Sequence, residues 1–245
     1  MGQDFLSNIE LFYIPHVYFA GNKIVITGDE FKHLANVMRH VEGDEVYIAN
    51  GEGHIFKCVL ETVVKKQAVA NIIEIKKYEN ENPNIYFCIP LLQNADRYEF
   101  ALEKCIELGI TNFIIYSAER SFRKGDKSER WIKIAAAAMK QSLRCFLPAI
   151  IYQNSISDIA KLDGEKILFE QNAETELACL LKSKNRSEIF LSEKKYYFVF
   201  GPEGGLSERE LEYLKNSKKY KLTGNRLRAE TAVITAASLI TTINT

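Results

Sequence analysis

The residues best suited to chemistry lie in two short loops near the end of the chain. Residues 201–205 read Gly-Pro-Glu-Gly-Gly after an apolar run, and residues 223–226 follow a second short run. Glycines let a backbone approach a ligand closely and present its N–H and C=O groups. The spacing fits neither the dinucleotide fingerprint nor the phosphate-binding loop that ends in Gly-Lys-Ser/Thr. The two loops therefore predict a crevice for a nucleoside read by backbone groups, although an ordinary glycine-rich turn explains one loop equally well.

A pair of charged residues opens the last helical segment, which begins Arg228-Ala229-Glu230-Thr231. Glu230 suits the N-terminus of a helix, whereas an arginine there opposes the helix dipole. We therefore expect a ligand or a carboxylate to hold Arg228. The rest of this helix is apolar and small on one side, which predicts close packing inside the fold or against a second subunit.

The elements around these loops form an alternating pattern. Residues 196–200 predict a buried strand, and Ser207 with Glu210 has the spacing of a capping box at the start of a helix. Upstream, apolar strands near 85–91, 113–116 and 167–169 alternate with helices near 96–108, 130–143 and 175–181. Alternating strands and helices predict an α/β fold with a parallel sheet. Loops at the carboxyl ends of such strands meet at one edge of the sheet.

The first part of the chain has a different hydrophobic pattern. Runs near 23–26, 45–50, 55–61 and 68–75 predict a small β-rich module. One helix interrupts it, with Thr27 and Glu30 at capping-box spacing; its His33 and Arg39 are consistent with RNA contacts or with a solvated basic face. The polar run at 78–84 predicts a boundary, which gives domains at 1–77 and 78–245.

The composition of the chain restricts which partners the protein is expected to bind. The 245 residues are 47% hydrophobic and carry 32 basic and 32 acidic side chains, so any contact with nucleic acid must use a local patch. Five scattered cysteines without C-x-x-C and four scattered histidines predict neither a disulfide framework nor a metal site. No apolar run approaches the ~20 residues that span a bilayer, and the first residues lack the apolar core of a signal peptide. A cytoplasmic protein is the expectation.

Several segments in a fixed order resemble one family. FGPEGGLSERE followed by LTGNRLRAETA resembles the C-terminal signature of the SPOUT-superfamily 16S ribosomal RNA uridine-N3 methyltransferases (the RsmE family). LLQNADRYEFALEKCIELGI, SAERSF and RWIKIAAAAMKQSLR resemble further family segments, and so does the region around His33 and Arg39. The likeness covers about residues 12–240. Two departures are Leu143, where the family usually has glycine, and Thr223-Gly224, where glycine more often follows the leucine directly.

The resemblance implies a fold, a cofactor and partners. It implies an α/β domain with a C-terminal trefoil knot, preceded by a small barrel related to PUA and OB folds. It also implies S-adenosylmethionine as cofactor, a homodimer, and a uridine of 16S ribosomal RNA in the small ribosomal subunit as substrate. Another SPOUT substrate such as transfer RNA, or an inactive RNA-binding homologue, remains an alternative.

The resemblance also implies roles for residues. Arg228, or else Arg144, would stabilise the uridine anion, and Glu230 would act as the base or orient Arg228. The cofactor residues would be Phe169, Glu170, Phe200, Gly201, Pro202, Glu203, Gly204, Gly205, Leu222, Thr223, Gly224, Arg226, Leu227 and Thr231. The RNA-binding residues would be His33, Arg39, Arg97, Arg120, Arg123 and Gln141.

Overall fold

The computed structural model describes residues 9–121, 125–183, 190 and 193–242. These residues form two compact units. The first unit ends at Asn80 and also takes in Ala136–Leu147, and the second consists of Glu81–Ala135 and the described residues from Pro148 onward. The chain therefore crosses between the units inside one helix, at Ala135 and Ala136.

The first unit is built on one six-stranded sheet in the order β1-β4-β5-β6-β3-β2. Its strands are β1 (Leu11–Tyr13), β2 (Phe19–Ala20), β3 (Lys23–Thr27), β4 (Glu45–Ala49), β5 (His54–Val64) and β6 (Gln67–Lys77). Strand β1 runs parallel to β4, and the other neighbours are antiparallel. Helix α1 (Gly28–Lys32) continues into a π-helical turn (His33–Val37), and a 3-10 turn covers His16–Tyr18. Alternating side chains such as Phe12, Ile24, Ile26 and Ile48 form its core.

The segment Ala136–Leu147 belongs to this first unit through specific contacts. Met139 and Cys145 join a buried cluster with Leu11, and the N–H of Gly53 donates to the Cys145 carbonyl at 2.9 Å. A Cβ on Gly53 would lie 2.5 Å from Cζ of Phe146, and Gly53 has a φ of +93°. The close approach and the backbone conformation both require glycine at this position.

The second unit contains a parallel six-stranded sheet in the order β12-β10-β11-β7-β8-β9. Its strands are β7 (Ile85–Pro90), β8 (Asn112–Tyr116), β9 (Ala149–Gln153), β10 (Glu165–Phe169), β11 (Tyr196–Val199) and β12 (Lys218–Tyr220). Its helices are α2 (Ala95–Glu107), the part of α3 (Ser128–Gln141) up to Ala135, α4 (Ile156–Ala160), α5 (Leu177–Ser183), α6 (Glu208–Tyr213) and α7 (Ala229–Thr242). The predicted α/β class with a parallel sheet is confirmed. The trefoil knot stays a prediction.

Burial explains why the central strands read as continuous apolar runs. All four residues of β11 are buried, because its neighbours β10 and β7 flank it and helices cover the sheet. Helix α7 packs on α2, with Val233, Ala236, Ala237 and Ile240 buried. The small residues of α7 therefore pack inside the unit. Across the described residues, no helix is both long enough and apolar enough to cross a membrane.

Candidate functional site

A cavity of about 840 Å³ lies at the carboxyl edge of the parallel sheet. Strands β10 and β11 pair in parallel, so Phe169 and Phe200 leave the sheet at the same edge. The walls of this cavity, which we call the loop cavity, are formed by Arg97, Phe169, Gln171, Phe200, Gly201, Pro202, Glu203, Gly204, Gly205, Arg226, Leu227, Arg228, Ala229, Glu230 and Ala232. A smaller cavity of about 140 Å³ shares five of these residues and adds Glu170, Leu222, Thr223 and Asn225.

The structure brings most of the predicted cofactor residues together at these two cavities. Gly224 and Thr231 line neither of them. The predicted cofactor residues do not include Gln171, Asn225, Ala229 and Ala232, which also line the cavities. Gln171 and Ala229 are direct neighbours of predicted residues, and Ala232 lies within the first turn of α7, where a small side chain leaves room for a ligand. Whether these residues hold a cofactor remains a proposal.

The loop at 201–205 is fixed from two sides. Oε1 of Glu203 accepts from the Gln93 N–H at 3.1 Å, and Nη1 of Arg120 donates to the Gly204 carbonyl at 2.9 Å. Within the loop, the N–H of Gly205 donates to the Pro202 carbonyl at 2.8 Å. Gly205 has a φ of +69°, and a Cβ there would meet nothing within 4 Å. Glycine is therefore required here by backbone conformation.

Two aromatic rings form an apolar wall of the loop cavity. The rings of Phe169 and Phe200 are stacked with centroids 5.1 Å apart, and Phe87 lies 5.3 Å from Phe200. The Tyr116 hydroxyl donates to the Phe200 carbonyl, which fixes the point where the chain leaves β11. Such a wall beside loops rich in backbone donors and acceptors suits a planar heterocycle.

Glu230 is the most unusual polar residue of the loop cavity. The residue is only 9% exposed, and its Oε2 is buried without a hydrogen-bond donor among the described residues. Its Oε1 lies 3.7 Å from Nε of Arg97, an ion pair too long for a hydrogen bond. A buried carboxylate oxygen without a donor is costly. The arrangement favours a ligand that brings a proton donor or a positive charge to Oε2.

The arginines of the loop cavity differ in their partners. Arg97 pairs with Glu230, although sequence reasoning assigned Arg97 to RNA. Arg228 is exposed and lines the same cavity, and no side-chain hydrogen bond or ion pair joins it to another described residue. Glu230 is thus placed against Arg97, while the Arg228 guanidinium stays available to a ligand.

Three of the other predicted RNA residues belong to the unit that does not contain the loop cavity. His33, Arg39 and Gln141 belong to the first unit, and so does the alternative catalytic residue Arg144. His33 places Nε2 2.9 Å from a Glu10 carboxylate oxygen, and the exposed Arg39 has a φ of +60°. A left-handed arginine is uncommon and often marks a functional position. Arg123 lies outside the described residues.

No metal cluster is found within the described ranges. There, no group of three or more histidine, cysteine or acidic side chains could hold a metal ion. Four of the cysteines are buried, and burial raises the pKa of each of these thiols, to about 12 for Cys58 and about 11 for Cys145. These four thiols are therefore unsuited to act as nucleophiles.

The chain matches two family models. Residues 79–241 match an RNA methyltransferase domain, and residues 26–73 match an RNA methyltransferase PUA domain. The parallel sheet with its edge cavity and the preceding β-rich unit thus define the class, an RNA methyltransferase with a PUA domain.

Within that class, the chain belongs to the ribosomal RNA small subunit methyltransferase E family. It is 32% identical over 231 residues to the member from Bacillus subtilis, covering 88% of each chain. It is 29% identical over 235 residues to the member from Aquifex aeolicus, covering 92% of this chain and 98% of the other. The structure of the Neisseria gonorrhoeae member bound to S-adenosyl methionine aligns with a TM-score of 0.79 at 26% identity, over 94% of this chain and 95% of that one. The family prediction is confirmed.

Proposed function

We propose that this protein transfers the methyl group of S-adenosylmethionine to N3 of a uridine in 16S ribosomal RNA. The observation that carries the proposal is the buried Oε2 of Glu230, which has no donor among the described residues, in a cavity that also holds the exposed Arg228. The names of the relatives, and the cofactor in the Neisseria gonorrhoeae structure, support the substrate and the cofactor.

The loop cavity fits the proposed cofactor. Its volume of about 840 Å³ lies in the range of small-molecule sites. The wall of Phe169 and Phe200 suits the adenine ring, and the loops at 201–205 and 222–227 offer backbone groups for its polar edges. The cofactor supplies an electrophilic methyl group on a sulfonium. The residues of the chain bind it and exclude water from it.

The rest of the proposed mechanism concerns the uridine. N3 of uridine carries a proton and becomes nucleophilic only when that proton leaves. Glu230 accepts the N3 proton on Oε2, and the N–H groups of Arg228 donate to the anion that develops on O2 or O4. Arg97 holds the opposite oxygen of Glu230 at 3.7 Å, which orients the carboxylate. The proton then passes from Glu230 to solvent.

The proposed substrate contacts use local positive charge. Arg120 follows β8 and donates to the Gly204 carbonyl, and we assign it, with Arg123, to RNA phosphates. His33, Arg39, Gln141 and Arg144 would contact RNA from the first unit. The homodimer and the knot rest on the family resemblance alone, and the cytoplasmic location rests on the composition.

The experiment that tests this function maps the product. Small ribosomal subunits from cells lacking the protein are incubated with it and the cofactor, and mass spectrometry locates 3-methyluridine. We expect one modified uridine in 16S ribosomal RNA with the wild type and none with Glu230→Gln. Glu208→Gln, an exposed acid in the first turn of α6, is the matched control and should retain activity. Modification of transfer RNA alone, or of no RNA, would overturn the proposal.

A further inference from the structure

A second cavity of about 780 Å³ lies at the same edge of the parallel sheet, where β8 and β9 end. We call it the β8–β9 cavity. Helix α6 closes its far side. The residues that matter for its chemistry are Ser117, Glu119, Tyr152, Asn154, Arg209 and Tyr213. None of them lines the loop cavity, and none has a role in the proposed methyl transfer.

The walls of the β8–β9 cavity are held in place by hydrogen bonds. Glu210 is 2% exposed, with one carboxylate oxygen accepting from the Glu119 N–H at 2.9 Å and the other from the Ser207 N–H at 2.8 Å. Glu210 therefore ties the segment after β8 to the start of α6. On the opposite wall, the Tyr152 hydroxyl lies 2.8 Å from Oγ of Ser117 and accepts from the Gly125 N–H at 3.2 Å. The cavity is thus preformed.

The groups left free in this cavity suit a nucleobase. The ring of Tyr213 is 45% exposed and offers a stacking face. Among the described residues, the Asn154 side chain makes no hydrogen bond. The Glu119 carboxylate lies 3.9 Å from Nη1 of Arg209, beyond hydrogen-bond distance, so its oxygens can accept from a ligand. Unpaired RNA bases are bound in this way, by stacking on aromatic rings and by hydrogen bonds to their edges.

The charge of the β8–β9 cavity argues against a phosphate. Among its described lining residues, the carboxylates of Glu119, Asp126 and Glu210 stand against one cation, Arg209. Guanine presents two adjacent N–H donors on its Watson–Crick edge, which match the two acceptor oxygens of a carboxylate. Adenine and cytosine present one amino group there, and uracil presents one N–H between two acceptors. Guanine is therefore the base that Glu119 would recognise best.

The position of this cavity relates it to the loop cavity. Glu119 and Arg120 are consecutive, and Glu119 lines the β8–β9 cavity while Arg120 donates to Gly204 in the wall of the loop cavity. We propose that the β8–β9 cavity binds an unpaired guanine that neighbours the target uridine in the substrate RNA. This inference rests on the proposed function for the identity of the substrate. It assigns base selectivity to residues outside the methyl-transfer site.

The single tryptophan of the chain provides a direct probe. Trp131 is buried, and its ring centroid lies 6.2 Å from that of Tyr152 in the cavity wall. Guanosine is titrated into the full chain with S-adenosylmethionine in excess, and binding is followed by Trp131 emission and by calorimetry. We expect saturable binding of guanosine, weaker binding of adenosine and cytidine, and the weakest binding of uridine.

Two variants and a control locate the binding. Tyr213→Ala should weaken guanosine binding roughly tenfold, the usual scale for one stacking contact. Glu119→Gln should remove the preference for guanosine over adenosine. Tyr18→Ala replaces a tyrosine of the first unit that is also 45% exposed, and it should change neither result. With RNA as substrate, Tyr213→Ala should raise KM and leave kcat unchanged.

The outcomes separate this inference from the proposed function. Guanosine binding that is absent, or is unchanged in Tyr213→Ala and Glu119→Gln, overturns the inference even if methyl transfer is normal. Binding of a lysine-rich peptide at the β8–β9 cavity in place of guanosine also overturns it. Guanosine binding that both variants alter, in a protein that methylates no RNA, supports the nucleobase site and overturns the proposed function alone.

Discussion

Replacing Glu230 with glutamine should slow methyl transfer strongly without destabilising the protein. The substitution keeps the shape of the side chain and removes its charge. Because Oε2 is buried and receives no hydrogen bond among the described residues, removing the charge relieves a desolvation penalty of about 2–3 kcal/mol. The loss of the 3.7 Å ion pair with the half-exposed Arg97 costs about 0–1 kcal/mol, and the loss of an acid in the first turn of α7 costs about 0.3–1 kcal/mol.

These terms leave the ligand-free protein about as stable as the wild type, or more stable by roughly 1–2 kcal/mol. For a chain of this size, such a gain raises Tm by about 2–8 °C. Loss of a general base lowers the rate of the chemical step by about 10²–10⁴-fold. Thermal unfolding of the ligand-free proteins and single-turnover methylation of small ribosomal subunits measure the two effects.

The two measurements together test the reasoning. Glu208→Gln, which removes an exposed acid from the first turn of α6, should lose only the small dipole term and keep full activity. If Glu230→Gln lowered Tm by 5 °C or more, Glu230 would be a satisfied structural ion and its assignment as the base would lose its physical basis. Wild-type turnover in a stable Glu230→Gln protein would refute the proton-acceptor role directly.

Four further predictions follow from named contacts. Gly205→Ala, at a φ of +69°, should lower the free energy of unfolding by about 1–2 kcal/mol and weaken cofactor binding, as measured by calorimetry. The control Gly28→Ala, at a φ of +63° in the first unit, should lower the stability by a similar amount and leave cofactor binding unchanged. Arg228→Ala should slow single-turnover methyl transfer about 100-fold or more while RNA affinity is retained; normal transfer at saturating RNA would make Arg228 a positioning contact. Arg120→Ala should lower the salt dependence of RNA binding by roughly one unit of slope, and an unchanged slope would remove its phosphate assignment. Burial raises the pKa of the Glu165 carboxyl, but Lys194 and Lys218, each at 2.6 Å, outweigh it and hold that pKa below its ordinary value. The stabilisation is therefore present above the unfolded pKa and is lost as pH falls through the folded pKa, so Glu165→Gln should lower Tm at neutral pH and match the wild type in acid.

Capping boxes show what local sequence can and cannot predict. Ser207 and Glu210 have the spacing of a capping box, and both of its hydrogen bonds are present. Thr27 and Glu30 have the same spacing, but Thr27 makes no capping hydrogen bond. Glu30 accepts from the Tyr13 N–H and pairs with Lys140 instead. Those partners lie 17 and 110 residues away, so the local pattern held no information about them.

The division of the chain into two units also depends on long-range packing, which local sequence does not predict. The polar run at 78–84 signals a break, but nothing within the alanine-rich α3 signals that Ala136–Leu147 joins the first unit. The departure at Leu143 was informative. Leu143 has a φ of +55°, a conformation that glycine adopts freely, which explains why the family usually has glycine there. Strand β9 and helix α4 were not predicted, because their side chains are mixed in burial and show no clear period.

The sequence predicts which loops form the site, but it does not predict which charged side chains pair with each other there. Those ion pairs determine the electrostatics of the site. Motif spacing placed Glu230 beside Arg228, whereas the fold pairs it with Arg97 from α2, 133 positions earlier in the sequence. The loop cavity therefore contains three cations, Arg97, Arg226 and Arg228, against the carboxylates of Glu203 and Glu230. A net positive wall around a proton acceptor favours an anion over its neutral parent, because the developing charge meets fixed donors with little reorganisation. In the proposed mechanism, the net positive wall lowers the pKa of uridine N3, whose proton Glu230 accepts. The arginines that position Glu230 therefore also favour the proton transfer to it.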